Sequence, residues 1–330
     1  MNFMAVSETK PEAQDRSLPA RRLLVRANVY IAFALLLAIA EIASPAFLSG
    51  SNISNMLQQV APLGIVVIGQ TLVIIVRGLD LSVGSVMATA AVAATAFNGL
   101  DSDVLPIIGV SLLIGLGTGL AAGLLITKRS VPPFLATLAM WIVLEGCRYA
   151  YNGGAPSGNV PVFFRVIGAG SFHGVPYNIL IMAAIAAVFI VILHLSTFGR
   201  RVFLVGGNPV MARLVGIHAD RVVIACYVLS GLLAAIAGLI LSGFVGLVDN
   251  FVGRDFELDS IVAAVLGGVA LSGGRGTIVG ALAGAAILVV ITNAVLLFGL
   301  PFQFQLIIKG IVIVIAAALN ARITASARSA

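Results

Sequence analysis

The chain has 330 residues, 60 % of them hydrophobic and 10 % charged, with a mean hydropathy of +1.13. That composition lies far outside soluble globular usage and calls for lipid as solvent. The net charge of +6 and pI near 9.8 do not point to nucleic acid, because the basic residues sit at the ends of apolar runs and form no face interleaved with aromatics.

Residues Met1 to about Arg26 are polar, with no apolar core leading to a small-residue cleavage site, and read as a cytoplasmic tail, 1–26. Ten apolar runs follow, at roughly 27–43, 60–77, 82–98, 104–126, 132–148, 176–195, 221–246, 259–274, 276–298 and 303–320. Most are near the roughly 20 residues a spanning helix needs, which predicts an all-α polytopic membrane protein with about ten transmembrane helices over 27–320. The eighth is broken by Gly267–Gly268 and Gly273–Gly274 and is expected to be tilted, broken or partly inserted. With both ends inside and 321–330 as a second cytoplasmic tail, inner segments hold 15 Lys and Arg, and outer segments hold only Arg148, Arg165 and Arg254. The asymmetry favours that orientation and an even number of crossings. Cys147 and Cys226 are far apart within apolar runs, with neither metal spacing nor a disulfide framework. Glycines four apart, Gly115, Gly119, Gly123 and Gly276, Gly280, Gly284, suit close helix packing in lipid.

Asp80, in RGLDLSVGSV, lies at a turn between two apolar runs expected to be on the inner side. Asp80 or Ser82 can cap the next helix, with Gly84 part of the same motif, which is the favoured reading; the alternative for an intramembrane carboxylate is gating or the solute path. Glu257 and Asp259 precede the eighth run and are expected to cap it, helped by Ser260. His173, His194 and His218 are scattered, so neither hydrolytic nor metal chemistry has support and no metal site is expected. Glu41 and Glu145 lie near span ends, while Lys309, about seven residues into the last run, can snorkel or pair with a neighbour. Uncharged polar residues within the spans, Gln70, Ser85, Asn293 and Gln305 among them, suit either a wet path for a hydroxyl-rich solute or interhelical hydrogen bonding.

The long polar interruption at 197–221 faces the Arg-rich side. Asn208 before Pro209 reads as a helix start, and Met211, Leu214 and Val215 at i, i+3, i+4 give the 209–217 helix one apolar face. It is either a solvated connector or a docking element. No G-x-x-x-x-G-K-[ST] occurs, so the chain holds no nucleotide phosphate loop of its own and needs no cofactor; an ATP motor would have to be another polypeptide on the inner face.

Taken together, GLDLSVGS at 78–85, GGNPVMARLVGI at 206–217, ELDSIVAAVLGG at 257–268, SGGRGTIVGALAGA at 272–285 and QLIIKG at 305–310 resemble the permease subunits of bacterial ABC monosaccharide importers, the ribose, xylose, arabinose and galactoside permease family. The resemblance implies a non-enzymatic multi-pass permease in the bacterial inner membrane. It would pair with a second copy or a paralogue, with a cytoplasmic ABC ATPase and with a periplasmic sugar-binding protein, and no nucleic acid would be involved. It also implies that Gly207, Asn208, Ala212, Arg213, Gly216 and Ile217 form the coupling helix that meets the ATPase. Val76 and Arg77 stand where the family tends to have Thr and Gly, and Leu204 and Met211 replace typical Ala. The rivals are an ion-coupled secondary carrier and a membrane-anchored scaffold or receptor that moves nothing; within the permease reading, the alternative cargo is a nucleoside or a furanone signal.

Overall fold

The computed structural model describes residues 37–314 apart from 39, 43, 302 and 313. The 1–26 and 321–330 tails, and most of the first apolar run, lie outside the described residues. In chain order the helices are α1 (Gly50–Ile75), α2 (Ser82–Ala94), α3 (Val104–Lys128), α4 (Pro133–Asn152), α5 (Val162–Ala169), α6 (Tyr177–Leu195), α7 (Thr197–Gly207), α8 (Pro209–Leu214), α9 (Ala219–Val245), α10 (Phe256–Leu266), α11 (Ile278–Leu297) and α12 (Gln303–Val312). The sole strands among the described residues are β1 (Ser171–Phe172) and β2 (Val175–Pro176), an antiparallel two-residue pair with Ser171 opposite Pro176.

Among the described residues, five stretches are long and apolar enough to cross a membrane: Gly50–Ile75, Asp101–Lys128, Tyr177–Leu195, Ala219–Val245 and Ile278–Leu297. The third and eighth apolar runs do not become full-length helices. α2 has 13 residues and α10 has 11, about 20 and 16 Å at 1.5 Å per residue. α10 stops where the backbone turns at Gly268, whose φ is +86°, a conformation open to glycine at little steric cost. The expectation of a broken eighth run holds.

Local chemistry sets several of the ends. Ser49 accepts from the Asn52 N–H at the start of α1, and Thr277 accepts from the Gly280 N–H at 3.1 Å at the start of α11. Each hydroxyl satisfies one of the four donors a helix start leaves free. Asn52 and Asn293 then exchange two amide hydrogen bonds, both 2.9 Å, tying α1 to α11.

Helix α9 is the hub and packs against α1, α2, α3 and α5. In α3 the buried residues Ile107, Ser111, Gly115, Gly119 and Gly123 recur every four positions and make one stripe, whereas Leu105, Leu113 and Leu116 on other faces are exposed. An apolar helix with only one buried stripe turns its other faces to lipid. A side chain at Gly115 would overlap the Gly231 carbonyl, and one at Gly119 would overlap the Tyr227 carbonyl. The expected glycine stripe is therefore where α3 and α9 touch backbone to backbone. In the second stripe, Gly284 meets Ala263 of α10 and Gly280 meets Gly267 just past its end, while Gly276 lies before α11 and packs on Val269.

Candidate functional site

Two neighbouring regions contain Asp80 and all six of the expected coupling residues. The first is the segment Val76–Leu81, between α1 and α2. α2 starts inside the helical bundle, with Asp80 and Ser82 both buried. The Asp80 carboxylate accepts from the Ser230 hydroxyl at 2.8 Å, and Ser230 lies eleven residues beyond Ala219, the first residue of α9. That offset is about 16 Å along the helix, so the chain climbs back into the protein in non-helical form before α2 begins.

Non-helical backbone at that depth needs partners of its own. Gln70 supplies them, since its amide nitrogen donates to the Asp80 carbonyl at 3.1 Å and its oxygen accepts from the Asp80 N–H at 3.2 Å. Tyr227 donates to the Leu79 carbonyl at 3.3 Å. Asp80 Oδ1 accepts from the Ser82 N–H at 3.0 Å and from the Ser82 hydroxyl at 2.6 Å. The carboxylate thus satisfies a free donor at the start of α2, although Leu81 holds the N-cap position and no side chain caps there in the usual geometry. Asp80, Ser82, Ser230 and Gln70 are all at most 1 % exposed.

The other expected path-lining residues also have neighbours. Ser85 donates to the Trp141 carbonyl at 2.9 Å, and Asn293 is held by Asn52. Gln305 is buried on α12. Arg148, read from sequence as an outer-segment cation, is 4 % exposed, and its Nη1 donates to the Ser85 carbonyl, the Ser85 hydroxyl and the Thr89 hydroxyl at 2.9, 2.8 and 3.1 Å. The reason is that α4 continues to Asn152, past the charge taken to end the apolar run. An arginine four residues inside a helix end was the available signal.

The capping expectation for Glu257 and Asp259 is overturned. Asp255 is the N-cap of α10, its φ is +71°, and no side chain caps that end. Both carboxylates sit one step inside, in the first turn, where the helix dipole still favours negative charge. Asp259 instead pairs with Lys309 of α12 at 2.7 Å, each side chain 19 % exposed. Glu257 packs beside Gly84, where any side chain on Gly84 would overlap Glu257 Oε2. Ser260 donates to the Glu257 carbonyl at 3.0 Å rather than capping.

The second region is the 197–221 connection, which contains α7 as well as the expected short helix. α7 buries Gly199, Val202, Val205 and Gly206, and it was hidden in sequence by Arg200 and Arg201 on its outer face. Asn208 ends α7 and starts α8, its Oδ1 accepting from the Val210 and Met211 N–H groups at 3.0 and 3.1 Å. α8 ends at Leu214, shorter than the 209–217 expected, and Gly216 (φ +81°) turns the chain so that Ile217 N–H returns to the Ala212 carbonyl at 2.9 Å. Ala212 is buried and anchors this knob. Val210, Met211, Leu214 and Val215 are 55–74 % exposed, an apolar face that nothing in the chain covers among the described residues. Arg213 and Lys128 both pair with Asp220, at 3.0 and 2.9 Å, fixing α8 to the ends of α3 and α9. A cavity of about 380 Å³ lies between the two regions, bordered by Arg77, Ser130, Arg213, Asp220 and Tyr227. Gly207 joins the regions through Arg77, whose Nη2 donates to its carbonyl.

Residues 52–317 match a family described as the permease component of the branched-chain amino acid transport system. The chain is 40 % identical over 295 residues to the ribose import permease protein of Bacillus subtilis, an alignment covering 88 % of this chain and 91 % of that one. It is 36 % identical to the ribose import permease protein of Escherichia coli K12, over 89 % of this chain and 92 % of the relative. It is 34 % identical to the galactose/methyl galactoside import permease protein of Haemophilus influenzae, over 90 % and 94 %. No solved structure matches. With five bilayer-length apolar helices among its described residues, and matched along four-fifths of its length, the chain belongs to this family of multi-pass membrane permeases.

Proposed function

We propose that the chain is the membrane permease subunit of an ATP-driven importer in the bacterial inner membrane, carrying a monosaccharide handed over by a periplasmic binding protein. The observation that carries the reading is the exposed apolar face of α8, presented on a capped knob and pinned by the Lys128–Asp220–Arg213 pairs. A chain without a nucleotide loop needs a motor, and an uncovered apolar knob among polar residues is suited to a groove on a cytoplasmic ATPase. Gly207, Asn208, Ala212, Arg213, Gly216 and Ile217 shape the knob in this reading, and the apolar residues on it make the contact. The relatives named for ribose and galactoside import support a sugar as cargo.

Both ends lie in the cytoplasm, about ten segments cross or enter the bilayer, and a second permease copy or a paralogue completes the path. The permease changes no bond of its cargo, and hydrolysis belongs to the partner. The test is uptake of radiolabelled ribose, galactose and fructose into proteoliposomes holding this chain, its ATPase and the binding protein. Accumulation that requires ATP in the presence of all three proteins supports the reading. Accumulation driven by a proton or sodium gradient with this chain alone sinks it in favour of a secondary carrier.

A further inference from the structure

The end of α1 is closed by an arginine in a position that normally falls to glycine. The Gly78 N–H donates to the Val73 carbonyl and the Arg77 N–H to the Ile74 carbonyl, both 2.9 Å, the paired bonds that terminate a helix through one left-handed residue. That residue is Arg77, with φ +68°. A non-glycine side chain there carries a steric cost, and the cost has a visible offset. Arg77 Nε donates to the Gly206 carbonyl at 2.6 Å and Nη2 to the Gly207 carbonyl. These are among the last carbonyls of α7, which have no partner inside their own helix, and a cation at a helix C-terminus is electrostatically favoured. The Gly274 N–H closes the same junction on the Ile75 carbonyl at 2.8 Å.

We infer that Arg77 is a positioning residue that makes the end of α1 and the α7–α8 corner move as one piece. Asn208, which caps α8, follows Gly207 directly, so any displacement of the knob pulls on the two carbonyls that Arg77 holds. α1 in turn holds the Asp80 backbone through Gln70, five residues before its end. The guanidinium therefore connects the cytoplasmic knob to the buried Asp80–Ser230 junction. The inference rests on the permease reading, in which motion at the knob has to reach the spanning helices.

The turn and the side chain make opposite demands, and that separates a mechanical role from a merely structural one. Arg77→Gly suits the left-handed backbone and deletes the guanidinium; Arg77→Ala deletes the guanidinium and keeps the steric cost; Arg77→Lys keeps a charge that reaches one carbonyl rather than two. In the full complex with its ATPase, hydrogen exchange of the 206–217 amides is expected to rise at least tenfold in Arg77→Gly and Arg77→Ala. Solute moved per ATP hydrolysed should fall at least tenfold in both while ATPase binding persists, with Arg77→Lys between them and wild type. An Arg77→Gly complex with wild-type exchange and wild-type coupling overturns the inference and leaves the permease reading standing. A wild-type complex that moves none of ribose, galactose or fructose overturns the permease reading, and this inference with it, before any variant is compared.

Discussion

Asp80 and Ser230, 150 residues apart in sequence, meet side chain to side chain at 2.8 Å in a fully buried site. The bond joins the non-helical Val76–Leu81 segment to the middle of α9, and Gln70 and Tyr227 satisfy backbone groups on either side. A carboxylate so surrounded by donors acts as a structural junction.

Asp80→Ala is expected to leave the Ser82 N–H and two hydroxyls without their acceptor, at about 1–3 kcal/mol for each buried donor that finds no other partner. The thermal unfolding midpoint in detergent and the membrane yield should both drop, and Asp80→Asn, which still accepts, should recover most of the loss. A double-mutant cycle with Ser230→Ala should give a coupling near the ~0.6 kcal/mol average, up to ~1.7, found for hydrogen bonds between membrane helices. Unchanged stability with abolished flux would assign Asp80 to gating instead.

Asn208→Ala removes the acceptor for the Val210 and Met211 N–H groups. Loss of such a cap costs about 0.5–2 kcal/mol, which a six-residue helix cannot absorb elsewhere. Faster amide exchange at Val210 and Met211 and weaker ATPase capture are expected, with insertion intact. Wild-type exchange at those two amides would show that the cap does not hold α8 together.

The pair Asp259–Lys309 ties α10 to α12. Lys309→Met alone leaves a mostly buried carboxylate unpaired and should destabilise, by less than the roughly 3–5 kcal/mol of a wholly buried pair because 19 % of each side chain is still exposed. Lys309→Met with Asp259→Asn should be closer to wild type than either change alone. Equal and additive losses in a thermal melt would mean the two groups do not act together.

Gly115→Val should prevent α3 from reaching α9, because its Cβ would overlap the Gly231 carbonyl; overpacking of this kind costs typically 1–3 kcal/mol, and backbone cannot move aside as a side chain can. Gly117→Val, two residues away with no neighbour within 4 Å, is the control. Size-exclusion profiles in detergent should be aggregated for the first and monodisperse for the second. Equal behaviour would remove the glycine stripe from the packing account.

What could be read from the sequence was mostly local. Asn208–Pro209 marks a helix start because capping and a missing N–H act within one turn, and the glycines of α3 fall at the helical period of a contact stripe. α7 escaped notice because its charged outer face resembles a loop when hydropathy is averaged along the chain. The depth at which α2 begins was invisible, since it depends on Ser230, which no local pattern links to Asp80. The partners of Arg148 and Asp259 are hidden in the sequence for a related reason. Charges near the ends of apolar runs look like surface charges or caps until the neighbouring helices, here α2 and α12, bring their partners.

The proposed function puts the apolar face of α8 on the cytoplasmic side, covered by an ATPase. The most direct test places a single cysteine at Leu214, which is 74 % exposed, in a chain whose Cys147 and Cys226 are replaced by serine, and labels it with a membrane-impermeant maleimide. Labelling in inverted vesicles, none in right-side-out cells, and protection when the ATPase is added is the result expected. Labelling from the outside, or labelling that the ATPase leaves unchanged, would contradict it.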